Sequence, residues 1–140
     1  MENEYLLQYE LGILEFNSGK YFEAHDTLED LWMQTRGEYK KFIQGLIQIS
    51  VGTFHLTNKN YSAAESQYQR GLTKIKEFEN VNSNLVLGVN ILHLISQVNY
   101  LRSLIKSLLQ SNTHTLNYDE LPLIEYSLNK DVTLFFEKNY

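Results

Sequence analysis

Two histidines, a glutamate, two glutamines and a tryptophan occupy positions that helical periodicity assigns to apolar side chains. Along residues 21–32, Tyr21, Ala24, Leu28, Leu31 and Trp32 share one arc at about 100° per residue, and His25 and Glu29 fall inside it. His25 projects about 20° from Trp32. Along residues 42–56, which are apolar almost all round, Gln44, Gln48 and His55 share a stripe roughly 40° wide. Two consecutive segments therefore each carry polar groups toward what periodicity marks as an interior.

Such a set is open to several chemistries. Removing a carboxylate from water costs several kcal/mol, so a buried Glu29 needs a partner, and His25 stands one helical turn away. The reading preferred from the residues is an internal network in which His25, Glu29, Gln44, Gln48 and His55 satisfy one another and hold the helices in register. A second is a small cleft beside Trp32 that binds an anion or a small polar molecule. A third is a metal held by His25, Glu29 and His55, a donor set known from catalytic zinc and non-haem iron, or acid–base work by the Glu29–His25 pair in a hydrolase-like enzyme. The spacing gives the third little support, because neither His-Glu-x-x-His nor Glu-x-x-His occurs. No cofactor is identified by these residues.

Other classes are disfavoured. There is no cysteine, which removes thiol catalysis and thiolate metal sites, and no Gly-x-Ser-x-Gly turn. Gly12, Gly19 and Gly37 are isolated, so no glycine loop is built to cradle phosphate. The formal charge is −5 and the 12 Lys and Arg residues are scattered, so nucleic acid is not an expected partner. Residues 42–58 and 81–101 lack charge but contain Gln, Asn and His, and they read as core helices and not as membrane spans. The first ten residues hold three Glu and no basic residue, unlike an export signal. The expected location is the cytoplasm, or the plastid stroma for an organelle-encoded chain. A protein partner or a second copy of the chain remains open.

The positioning elements follow from periodicity. Helices are predicted over residues 4–16, from Tyr21 to before Gly37, over 38–56, 61–78 and 85–110, with a short helix at 123–128 and a tail from Asp131 that is either strand-like or helical. Residues 79–84 and 111–115 read as connections, and Asn60 as an N-cap. Gly45 and Gly52, two turns apart in the third helix, suggest close approach of a neighbour. His93 projects away from the apolar stripe of the fifth helix and is expected to be exposed. Tyr21, Ala24 and Leu28 echo Tyr61, Ala64 and Tyr68 at an offset of 40 residues, but two copies are too few for a solenoid, and a tetratricopeptide signature is only partly filled. The expectation is an all-α, single-domain bundle of about five helices spanning residues 1–140. The second and third helices form its central antiparallel pair, and residues 84–140 add C-terminal helices and a tail.

Phe16-x-x-Gly19-x-Tyr21-Phe22-Glu23-Ala24-His25-Asp26-x-x-Glu29-x-x-Trp32, followed by Phe42-x-Gln44-Gly45-Leu46-Ile47-Gln48 and His55, resembles the bacterial and plastid family known as domain of unknown function 309. The resemblance covers residues 13–72, and the motif departs only at Asp26, where that family usually carries Glu. It implies a small all-helical fold and the same constellation of His25, Glu29, Trp32, Gln44, Gln48 and His55, and it implies no particular reaction.

Overall fold

The computed structural model describes residues 3–80, 83–110 and 115–140. These residues form an all-α fold of six helices: α1 (Glu4–Asn17), α2 (Tyr21–Gln34), α3 (Lys40–Thr57), α4 (Tyr61–Lys76), α5 (Ile91–Gln110) and α6 (Lys130–Lys138). Most of the 111–115 connection lies outside the described residues.

Helix α3 is the axis of the fold. Ten of its 18 residues are buried, and it packs against α2 on one side and α4 on the other. Its closest neighbour is α4, and glycines make that approach possible. A Cβ added at Gly71 would stand 3.0 Å from the Gly45 carbonyl oxygen, and one added at Gly52 would stand 2.6 Å from the Tyr68 ring. The Tyr68 hydroxyl, fully buried, completes the contact at 2.7 Å from the Thr53 hydroxyl. The 40-residue echo is thus the pair of helices that flank α3. Each of them follows a residue with positive φ, Gly19 at 81° and Lys59 at 61°. Asn60 stands at the start of α4 but makes no side-chain capping bond.

The C-terminal half departs from the periodicity reading. The predicted helix at 85–110 begins only at Ile91, because residues 85–90 form a hairpin of β1 (Leu85–Val86) and β2 (Val89–Asn90), with Leu85 opposite Asn90 and Val86 opposite Val89. Leu87 and Gly88 turn it with φ of 48° and 78°, the pair of positive values that a type I′ turn needs. A side chain at Gly88 would strike the Ser127 carbonyl oxygen at 2.6 Å. The segment predicted as a helix at 123–128 is instead an extended leg. Its Tyr126 bridges to Val89, and its backbone is satisfied by side-chain amides. Asn17 binds both the N–H and the carbonyl of Ile124, and Gln97 does the same for Leu123. These contacts compete successfully with local helix propensity. The tail is helical: α6 is capped by Asn129, buries Val132, Phe135 and Phe136, and is followed by Tyr140, which stacks between Tyr5 and Phe136.

Replacing Gly71 with Val is expected to destabilise the fold by about 2 kcal/mol or more, because the added atoms meet the Gly45 carbonyl oxygen at 3.0 Å as well as Ile49 Cγ1 at 2.9 Å, and the backbone cannot yield. An unchanged denaturation midpoint would remove the close-approach account. Buried phenols predict an alkaline limit. Burial holds the Tyr9 and Tyr68 protons well above the ordinary value, so the unfolded chain releases them first. The stability they confer is present below a pH of about 10 and falls as pH rises past it. A Tyr68→Phe variant is expected to show a shallower loss in alkaline melting curves.

Candidate functional site

The α2 helix buries Tyr21, Ala24, Leu28 and Leu31. Its shoulder toward α3 is marked by two contacts. The Phe22 ring lies 5.4 Å from that of Phe54, and the Lys40 ammonium sits 4.7 Å over Trp32. His25 and Glu29 lie on this shoulder. His25 Nε2 is 2.8 Å from Glu29 Oε2 across one turn, and its ring rests 5.7 Å from that of Phe22. The second nitrogen, Nδ1, is shielded from solvent and stands 3.2 Å from Asp26 Oδ1, too poorly aligned to count as a hydrogen bond. Each ring nitrogen therefore faces a carboxylate. The His25 side chain keeps 24% of its exposure and that of Glu29 47%.

In α3 the positions Gln44, Gln48, Val51 and His55 fall within about 60° of one another, and all four are half-buried on a helix otherwise mostly buried. They are the strip where α3 reaches solvent between α2 and α4. The expected inward network is therefore corrected: His25, Glu29, Trp32, Gln44, Gln48 and His55 are all half-buried, and they form part of an outward face. Among the described residues the buried polar side chains, tyrosines aside, are Thr35, Ser50 and Thr53. Each of them bonds a carbonyl four residues back. Periodicity marked Gln44, Gln48 and His55 as exceptional on α3 because so little of that helix is wet.

The members of the set do not all meet. Gln48 accepts a hydrogen bond at 2.8 Å from Lys74 of α4, and the His55 ring lies 5.7 Å from Phe54. Lys74 belongs to a basic edge that the constellation omitted. Lys41 and Arg70 are close enough to act on it, and with partial burial as the larger cause they hold its ammonium below the usual range, while Glu77 opposes them. Lys41 in turn pairs with Glu77 at 2.7 Å. The signal for this edge in the sequence was the Arg70 and Lys74 pair, one turn apart on the polar side of α4. His93 is exposed on α5, as its projection required.

The chemistry open to this face is narrow. Among the described residues no three His, Cys, Asp or Glu side chains are grouped to hold a metal ion, so His25, Glu29 and His55 do not form the ligand set considered from the sequence. A cleft of about 640 Å³ includes Leu56, Lys59, Tyr61 and Asn117, and a neighbouring one of about 550 Å³ includes Gly19, Tyr21 and Pro122. Neither is lined by any of the six residues. Proton transfer by His25 would require a ring nitrogen that a substrate can reach, whereas both are occupied or flanked by acids.

Residues 9–67 match the family model described as Domain of unknown function (DUF309). This segment is similar to the DUF309 family. It agrees with the resemblance read over residues 13–72, and it runs from the middle of α1 into α4, so it contains all six residues of the face. Arg70 and Lys74, the hairpin, α5 and α6 lie beyond the DUF309 match. No curated protein matches the chain. No helix among the described residues is long and apolar enough to cross a membrane.

The exposure of the His25–Glu29 pair sets its energetic weight. A His25→Ala variant is expected to lose less than about 1 kcal/mol in urea unfolding, since a half-exposed one-turn pair contributes little. A loss of several kcal/mol would restore the internal-network reading.

Proposed function

We propose that the DUF309 segment is a recognition module without catalytic chemistry, and that its contact surface is the outward strip formed by α2, α3 and α4. The observation that carries this reading is the placement of His25, Glu29, Trp32, Gln44, Gln48 and His55. All six are half-buried side chains that reach solvent, and none of them lines either of the two clefts described above. An enzyme gains its rate by enclosing reacting groups away from water, whereas an open strip with aromatic, amide and charged side chains suits contact with a macromolecule. Trp32 supports the reading further, since its half-buried ring carries the Lys40 ammonium 4.7 Å over it at the margin of the strip. Protein is the partner class that this surface favours. The hydrolase-like alternative through His25, Glu29 and His55 gains no support, because the three are not grouped together and both ring nitrogens of His25 face carboxylates.

Site-specific photo-crosslinking tests this. A benzophenone side chain placed at Gln48 is expected to yield discrete protein adducts inside cells, and one placed at exposed Lys106 on α5 is expected to yield none. Equal labelling from the two positions, or none from either, would reject the strip as a recognition surface.

A further inference from the structure

The outward strip is electrically divided. Along the α2 side stand Asp26, exposed, and Glu29, half-buried, and their near neighbour among the bases is the His25 imidazole. Along the opposite side stand Lys41, Arg70 and Lys74, with Glu77 offsetting one of the three charges. Between the two edges runs the uncharged α3 strip of Gln44, Gln48 and Val51, with His55 at its end. Phe22, half exposed at the margin, adds apolar area.

From this division we infer that the face binds a second copy of the chain, related by a two-fold axis parallel to α3. The inference rests on the recognition reading above and names the partner. A two-fold axis lying in the contact plane along α3 exchanges left and right edges, so the acidic edge of each copy meets the basic edge of the other. An axis running across the helices would set acid on acid, and it is rejected by repulsion. Under the favoured axis the two α3 strips run parallel, and Gln44 and Gln48 meet their own counterparts, whose amides both donate and accept. The size is adequate. An 18-residue helix is about 27 Å long and three packed helices span roughly 25 Å, giving about 700 Å² of face, close to the ~800 Å² per partner of a stable interface.

Exchange of charges tests the arrangement. In the first variant the basic edge is made acidic, Arg70→Glu with Lys74→Glu. In the second the acidic edge is made basic, Asp26→Lys with Glu29→Lys. Light scattering at low salt is expected to give twice the monomer mass for the wild-type chain, with dissociation as salt rises. Each variant alone, folded by circular dichroism, is expected to lose self-association by about tenfold or more, and an equimolar mixture of the two to recover the dimer. Wild-type chain that stays monomeric, variants that still self-associate, or a mixture that fails to pair would each overturn the inference. A monomeric chain whose Gln48 probe captures a different protein overturns the dimer and leaves the recognition reading standing. Absence of any adduct removes both.

Discussion

The constraint on which the rest of the structure depends is the close contact of α3 with α4 through Gly45, Gly52 and Gly71. Helix axes normally stand 8–10 Å apart, and an approach that puts one backbone carbonyl within 3.0 Å of a neighbour's absent Cβ tolerates only glycine. Three glycines in helix interiors forgo about 1 kcal/mol each of intrinsic propensity. The compensation is burial on both sides of the contact, with Ile49, Tyr68, Leu72 and Ile75 nearly or fully excluded from water. Once α4 is seated so closely and α2 covers the other flank, α3 meets solvent only along a narrow slit. Whatever this chain presents from its central helix, it presents there.

That geometry explains how much of the site was legible. Periodicity located the polar residues that α2 and α3 bring to the strip, because Gln44, Gln48 and His55 interrupt an apolar helix and His25 and Glu29 interrupt an apolar arc. It did not reveal their direction. A polar stripe on a nearly buried helix reads the same whether it faces a shared interior or a gap between two neighbours, and the choice depends on how those neighbours are arranged. Lys74 decided it, since a lysine reaching Gln48 from α4 shows where water begins. The basic edge escaped notice because its members come from two helices, and spacing along a chain records one helix at a time.

The fold was legible where contacts are local and illegible where they are not. Helices α1 to α4 follow from stripes and stop signals within a few residues of where they lie. The hairpin at 85–90 and the extended leg at 123–128 do not, for both depend on partners far away in the chain: Tyr9 donating to the Leu87 carbonyl, Asn17 holding Ile124, and Ser127 pairing with Gly88. Leu87 shows the difficulty plainly. It fits the apolar stripe of α5 and is buried, yet it sits in a turn with positive φ, where only the surrounding structure can hold it.

The central claim is that the polar strip faces water and is therefore available to a partner. The most direct measurement is paramagnetic relaxation of the Gln44 and Gln48 side-chain amides by a dissolved gadolinium chelate, recorded at a dilution where the chain is monomeric. The account predicts strong broadening of both amide pairs while the backbone amide of Ile49 stays sharp. Side-chain amides as protected as Ile49 would place the strip inside the protein and contradict it.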